Sequence, residues 1–419
     1  MNNSTNFHHA VDAIKKKLKG RRLNYKEIYA LMDEIAKERL GDVLTTYFVA
    51  AGFKDGFSSD ELYYLTKAMV ETGTVLDFKG IVADKHSIGG VAGTRTTMIV
   101  VPIVTAVGFL MPKTSSRAIT SPAGTADVME ILAKVNFTPE QIKKIVNDVG
   151  GCIVWGGHLG IAPADDVIIR IEEPLSFESF DKIIVSIMAK KIAVGANHLV
   201  IDIPIGMTMK IKYEKDAEKV KTKFENIAKR FDITIDVDIN HTHEPAGYGV
   251  GPTLEAIDVL KVLEQAPDRP LALEKRALRL ASKLLTLCYK TKGEKIDAEA
   301  QAQNILANGD ALKQMRRIIK AQYGDPDVSY KTIKIKALKK EIIASESGTI
   351  RAVNNFNLNS ISKILGAPLE KSAGLKLLKR KGDAVAVHDP ILELYARSNY
   401  QLEEATQTLK NFPIFDIQP

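Results

Sequence analysis

The stretch DKHSIGGVAGTRTT, Asp84 to Thr97, sets Gly89, Gly90, Ala92 and Gly93 among the hydroxyls of Ser87, Thr94, Thr96 and Thr97 and the cations Lys85 and Arg95. The apolar residues before it, Ile81 to Ala83, read as a short strand, and TMIVVPIVTAVGF after it as a buried helix beginning near Thr94. A glycine turn between a strand and a helix is the repeating joint of an α/β fold. Glycines let a ligand approach the backbone, and the N–H groups of a helix start favour an anion, so phosphate is the expected ligand. A tight turn with no ligand is the alternative. It is not a Walker A loop, because no Gly-Lys-Ser/Thr closes it.

A second joint of the same kind follows. In PKTSSRAITSPAGTADVME, Pro112 to Glu130, Thr114, Ser115, Ser116, Thr120, Ser121, Thr125 and Arg117 lie between the strand LMPKTS and an amphipathic helix, TADVMEILAKV. Ligands of α/β folds bind at such strand ends, so two polar, cationic joints point to one phosphate-bearing site. Upstream, His8 to Glu71 repeats apolar residues every three or four positions, with a capping box at Ser58 and Glu61. Downstream, Thr138 to Gln141 start a helix, GCIVWGG reads as a strand, and 162–196 as helical again. HLVIDIPIG and ITIDVDI then read as strands around a charged helix, Glu214 to Arg230.

This order implies an α/β protein: a discontinuous helical domain, residues 1–75 and 161–196, beside a mixed α/β domain, residues 76–160 and 197–334, with helices around a central sheet. Residues 335–419 read as a small C-terminal β-rich (α+β) domain. Its GDAVAVHDPIL resembles the hairpin of biotinyl and lipoyl modules but lacks a Met-Lys-Met turn, so a structural module is expected.

A chain of 419 residues with 45% hydrophobic content can bury the cores of two or three domains. No apolar run of about 18 residues and no secretory h-region occurs, so a cytoplasmic protein without a membrane partner is expected. Cys152 and Cys288 lack metal-ligand spacing and read as reduced core residues. The net charge of +7 suits nucleic acid and anionic metabolites alike. The basic runs Lys15 to Arg22 and Lys334 to Glu341 have no interleaved aromatics for base stacking, so they read as solvated faces and no nucleic-acid partner is expected. DVDINHTHEP, Asp236 to Pro245, reads as an edge strand entering a polar loop, not a metal site. His158 reads as part of a packed turn, and GYGVGPTLEA, Gly247 to Ala256, as either a mobile loop over the site or a plain connector.

The segments DKHSIGG, SSRAITSPAGTADVME, APADD, SIMAKKIAVGANHLVIDIPIG and GYGVGPTLEA follow one another in order between about Tyr25 and the C-terminus. Together they resemble the thymidine and pyrimidine nucleoside phosphorylase family, most of all its branch of archaeal AMP phosphorylases and bacterial type-two thymidine phosphorylases. Pro122 in SPAGT favours the AMP branch. The resemblance implies an active site in the cleft between helical and α/β domains and a homodimer through the helical domain. It also implies cleavage of an N-glycosidic bond by inorganic phosphate, a co-substrate, with no metal or organic cofactor. A nucleotide substrate would give free base and ribose 1,5-bisphosphate; a nucleoside would give (deoxy)ribose 1-phosphate.

Residue by residue, the resemblance implies phosphate contacts from Lys85, Ser87, Thr96, Ser115 and Thr125. It implies substrate contacts from Gly90, Ser116, Arg117, Ala118, Ile119, Thr120, Ser121 and Lys210, with Arg117 and Lys210 as cations for a 5′-phosphate. Ser186 and Lys190, four apart on one helical face, would hold the base, and His86 is the active-site histidine. As the C1′–N bond breaks the base gains negative charge, so Glu178 or Lys190 would neutralise it. The sequence departs from the pattern at Glu178, where the AMP branch has an aspartate as proton donor, and at Arg170, an equivalent of the pyrimidine-binding arginine only if the alignment shifts. The archaeal members also carry an N-terminal domain ahead of the helical part with which this sequence begins. The alternatives are a thymidine or pyrimidine nucleoside phosphorylase, a phosphoribosyltransferase using magnesium pyrophosphate, which would need a paired acidic motif not evident at these joints, and a non-catalytic nucleotide-binding homologue.

Overall fold

The computed structural model describes residues 3–118, 121–157, 159–172 and 179–418. Helices α1 (Asn3–Leu18), α2 (Tyr25–Ala36), α3 (Gly41–Asp55) and α4 (Ser59–Glu71) lead into β1 (Ala83–Ser87), α5 (Thr97–Ala106), β2 (Met111–Ser115), α6 (Thr125–Met129), α7 (Pro139–Val149) and β3 (Gly151–Trp155). The chain continues through α8 (Pro163–Glu172), α9 (Phe180–Ala193), β4 (His198–Ile205), α10 (Glu214–Arg230), β5 (Thr234–His241) and β6 (Gly249–Val250). Helices α11 (Pro252–Leu263), α12 (Leu271–Lys292), α13 (Ala298–Ala307) and α14 (Asp310–Ala321) complete this part. The C-terminal domain holds β7 (Leu338–Ile343), β8 (Gly348–Val353), α15 (Asn355–Ile364), β9 (Gly374–Leu377), β10 (Ala384–Val385), β11 (Pro390–Ala396), α16 (Asn399–Asn411) and β12 (Phe415–Gln418).

Strands β1, β4 and β5 form a parallel sheet in the order β1-β4-β5, β2 and β3 form a parallel pair, and a parallel bridge between Val82 and Leu110 joins the two. Parallel strands require crossovers, and helices supply them here. Strand β4 is buried throughout, so its two faces serve two cores. Leu199, Ile201 and Ile203 join the cluster of α1, α2, α4, α8, α9 and α10, while Val200 joins that of α5 and α11 to α14. The helical layer is therefore built from two separated pieces of chain packed on one face of the sheet.

The C-terminal domain is interlocked with the α/β domain. Strand β6 adds to the sheet β6-β9-β11-β7, with Gly249 opposite Lys376 and Val250 opposite Leu375. Gly251 and Gly374 have φ of 121° and 144°, and a Cβ on Gly374 would lie 2.0 Å from the Val250 carbonyl oxygen, so only glycine lets the two backbones meet there. GYGVGPTLEA is thus a strand and helix start anchored by Asp258, whose carboxylate accepts the Tyr248 and Gly249 N–H groups at 2.7 Å. This settles the segment as a connector.

Several local expectations shift. The first strand begins at Ala83, which places Lys85, His86 and Ser87 on the strand instead of in the turn, and α5 begins at Thr97. TADVMEILAKV is helical only over Thr125–Met129, and the 162–196 segment holds two helices, α8 and α9. The basic run at Lys15 is not all solvated: Lys17 is buried and its Nζ donates to Glu61 Oε1 at 3.0 Å. Glu61 also accepts the Leu23 and Ser58 N–H groups, so it closes a capping box and a buried ion pair at once. β5 lies at the sheet edge, where Asp236 and Asp238 pair with Lys283. Cys152 and Cys288 are free and buried. Among the described residues no helix is long and apolar enough to cross a membrane.

Glu61→Ala leaves Lys17 buried without its carboxylate and two N–H groups unsatisfied, so stability should fall by about 3–5 kcal/mol in chemical denaturation. Lys17→Met should cost less, because Glu61 keeps its backbone donors; equal losses would show the ion pair itself to be dominant.

Candidate active site

The carboxyl ends of β1 and β2, the turn after each, and helices α8 and α9 enclose a cavity of about 510 Å³. That size suits a small-molecule ligand, and strand ends are where such folds bind one. Strand alternation divides the polar groups of β1 between two networks.

On one face, Asp84, 1% exposed, lies between two ammonium groups, Lys113 Nζ of β2 at 3.1 Å and Lys191 Nζ of α9 at 2.6 Å. Burial opposes its charge, yet the two lysines together hold the carboxyl below its usual range. Lys191 is pushed down by burial and by the neighbouring Lys113 ammonium, against the pull of Asp84. His86 shares this face and is held well below its ordinary value by burial and then by Lys191, Lys113, Lys85 and Lys190. It is therefore a neutral imidazole at neutral pH, able to donate or accept a hydrogen bond but not to act as an imidazolium acid.

On the other face, Lys85, 2% exposed, donates from Nζ to Ser87 Oγ and to Thr96 Oγ1, the latter at 2.9 Å. The Ser87 hydroxyl donates to Asp202 Oδ2, directly across the β1–β4 pair, and Asp202 is bound in turn by Arg276 of α12 at 3.1 Å and Asn240 of β5 at 2.7 Å. Burial pushes the Lys85 ammonium down to about 8; Asp202 pulls it up, and Arg276 and Arg95 push it further down. In both networks cations outnumber carboxylates, and the floor of the cavity is suited to an anion.

The turn after β2 is pinned from below. Asp127 accepts the N–H groups of Ala118 at 2.7 Å and Gly124 at 2.9 Å, while Arg117 binds Asp127 and, with two nitrogens, Glu130, and lies over the Trp155 ring. Arg117 lines the cavity, but these two carboxylates compensate its charge, which argues against it as a dedicated 5′-phosphate cation. Arg95 links the two joints, donating from Nη1 to Thr125 Oγ1 at 3.3 Å and pairing through Nε with the buried Glu255. At the far wall, Asp165 of α8 accepts from Ser186 Oγ at 2.6 Å and from Lys190 Nζ at 2.8 Å, fixing both side chains of α9. Burial opposes the charge of Lys190, but Asp165 and Asp166 raise its value, so it stays an ammonium.

Of the residues singled out in the sequence, Lys85, His86, Ser87, Gly90, Ser115, Ser116, Arg117, Ala118, Ser121, Thr125, Ser186, Lys190 and Lys210 line this cavity. Thr96 sits behind Lys85. Arg170 does not line it: half exposed on α8, it pairs with Glu38 and Asp42 on the outer side, because Asp166 and Ile169 take the inward positions. Ile119, Thr120, His158 and Glu178 lie outside the described residues. Sequence reasoning missed Asp84, Lys113, Asp165, Lys191, Asp202 and Arg276. The signal for Asp202 was there, a carboxylate inside the otherwise apolar HLVIDIPIG.

Comparison with known proteins gives three consecutive matches. Residues 11–73 match the helical bundle domain of a glycosyl transferase family, 79–312 its α/β domain, and 349–413 the pyrimidine nucleoside phosphorylase C-terminal domain. A protein of Bradyrhizobium diazoefficiens named "Putative thymidine phosphorylase" is 43% identical over 92% of this chain and 74% of its own length. The AMP phosphorylase of Methanococcoides burtonii is 40% identical over 97% of this chain and 80% of its own. Among solved structures, anthranilate phosphoribosyltransferase from Thermus thermophilus shares the fold, with a TM-score of 0.60 and 17% identity over 75% of this chain and all of its own.

An anion on Lys85 needs the ammonium protonated, and that form is lost as pH rises through about 8, well below the ordinary 10.5. Binding of sulfate, which does not titrate there, should weaken across that range in calorimetry and stay level in Lys85→Arg. A level wild-type profile would remove Lys85 from the anion site.

Proposed function

The chain belongs to the glycosyl transferase family whose helical-bundle and α/β domains it matches in order, an enzyme of the pentosyltransferase, phosphorylase type, and we propose that it cleaves the N-glycosidic bond of a nucleoside 5′-monophosphate with inorganic phosphate. The observation that carries this reading is the cavity itself. A cationic, hydroxyl-lined floor stands on one side, and a hydroxyl and ammonium oriented by one buried carboxylate on the other, as phosphorolysis needs a phosphate on one face of the sugar and the base on the opposite face.

Phosphate held by Lys85, Ser87, Ser115 and Thr125 attacks C1′, with Thr96 and Arg95 orienting the lysine and the threonine. The C1′–O bond forms, the C1′–N bond breaks, and the electron pair stays on the base, which takes up a proton. Lys190 and Ser186 hydrogen-bond the base as its charge grows, so they act most strongly where the transition state differs from the substrate. Neutral His86 offers one further hydrogen bond without adding charge. Glu178 is the candidate proton donor, and a base stabilised by Lys190 needs only a weak one. The 5′-phosphate would lie against the turn after β2 and Lys210, which lines the cavity beside Gly90. Arg170, the one candidate named for a pyrimidine-binding arginine, pairs with Glu38 and Asp42 away from the cavity, so it lends the thymidine reading no support. Inorganic phosphate as sole co-substrate follows from the same chemistry.

Phosphate-dependent release of free base from AMP, CMP, UMP, GMP, dTMP and their nucleosides tests the proposal, with Lys85→Ala as the inactive control. Cleavage of one nucleotide but not of its nucleoside is expected. Lys190→Ala should lose about 10²-fold or more in kcat/KM, and Lys210→Ala should lose nucleotide cleavage selectively. Preference for thymidine or uridine would move the enzyme to the pyrimidine reading, and binding without turnover would make it a non-catalytic homologue.

A further inference from the structure

The C-terminal domain reaches the rim of the cavity at two places, and neither contact belongs to the phosphate floor or the base wall. Asn355, the first residue of α15 and 2% exposed, is inserted between the glycine turn after β1 and the turn that carries Lys210. Its Nδ2 donates to the Gly90 carbonyl at 2.5 Å and to the Thr208 carbonyl at 3.4 Å, its Oδ1 accepts the Ala92 N–H at 3.1 Å, and its own N–H donates to Thr208 Oγ1 at 3.4 Å. Two carbonyls and one N–H converge on one side chain, a pattern that only a neutral amide satisfies. Gly90 in turn has φ of 94°, and a Cβ on it would stand 3.3 Å from Cγ of Lys210, so the two turns already touch through that glycine. At the second place Lys371 binds Glu130 at 2.8 Å and Asp127 at 3.4 Å, the same carboxylates that hold Arg117 and the N–H groups of Ala118 and Gly124.

We infer that Asn355 is a positioning residue for the substrate: by tying the Gly90 carbonyl, the Ala92 N–H and Thr208 together, it sets the separation of the glycine turn from Lys210 and so the fit of the molecule bound between them. The effect on catalysis rests on the phosphorylase reading above. Asn355 bonds Gly90 of the cavity lining but makes no hydrogen bond to Lys85, Ser87, Ser115, Thr125, Ser186 or Lys190, so it acts on recognition of the nucleotide and leaves phosphate recognition alone.

The test compares Asn355→Asp with wild type and with Asn357→Ala, a buried neighbour whose amide donates to the Pro413 carbonyl inside the C-terminal domain. Asn355→Asp keeps the acceptor for Ala92 and loses both donors. Its KM for the nucleotide that wild type cleaves should rise about tenfold or more, with KM for phosphate changed by less than about twofold. Amide hydrogen exchange at residues 89–93 of the ligand-free protein should also quicken in Asn355→Asp and not in Asn357→Ala. Asn355→Ser should show the same order of effects, which keeps the test decisive if the aspartate variant does not fold. An unchanged nucleotide KM, the same change in Asn357→Ala, or unaltered exchange would overturn the inference. If wild type cleaves no nucleotide, the functional reading fails instead, and the exchange comparison alone decides whether Asn355 sets the turn.

Discussion

One buried carboxylate, Asp84, holds three parts of the chain in register: its own strand β1, Lys113 from β2 and Lys191 from α9. Desolvating a charge is costly, and a partner repays the cost only in good geometry, so the positions of these three elements are not independent. The surplus is positive, and the same is true on the opposite face, where Lys85 and Arg276 share Asp202. A site that carries such a surplus is electrostatically incomplete, and an anion completes it. The attraction of the cavity floor for an anion is thus a property of the sheet and not only of the turns that cap it.

What the sequence made legible is what local chemistry dictates. The glycine turn, the hydroxyl cluster and the four-residue spacing of Ser186 and Lys190 depend on neighbours a few residues away, and all line one cavity. The boundaries were less legible, since Ala83–Ser87 is polar for a buried strand and its ladder with β4 overrides that composition. Asp84, Asp202 and Asp165 were passed over because their partners are distant in sequence, as with Lys191, Arg276 and Ser186; nothing local marks them as paired. Lys17 looked like one cation in a solvated run for the same reason, its partner being Glu61. Arg170 shows the opposite failure: chemistry of the right type near the right place, turned outward by the helix on which it sits.

Strand β4 explains how the layers come to share a site. Alternate residues serve the helical cluster and the α11 to α14 cluster, so the two cores have a common wall. A change of volume at Leu199 or Ile201 presses on a sheet whose other face carries Asp202. The C-terminal domain joins through β6 in the same manner, by continuing a sheet and not by resting against it.

The discontinuous helical layer also fixes an order of events at the ribosome. Ile28, Leu31, Leu62 and Leu65 of α2 and α4 share their core with Ile168 of α8 and Ile184 and Met188 of α9. At about 5–20 residues per second, the roughly 90 residues between α4 and α8 keep that apolar face waiting for about 5–20 seconds while the sheet strands emerge. During synthesis the apolar face of the N-terminal helices therefore stays incompletely covered, and the chain closes its first core only after the first strands and helices of its second have been made.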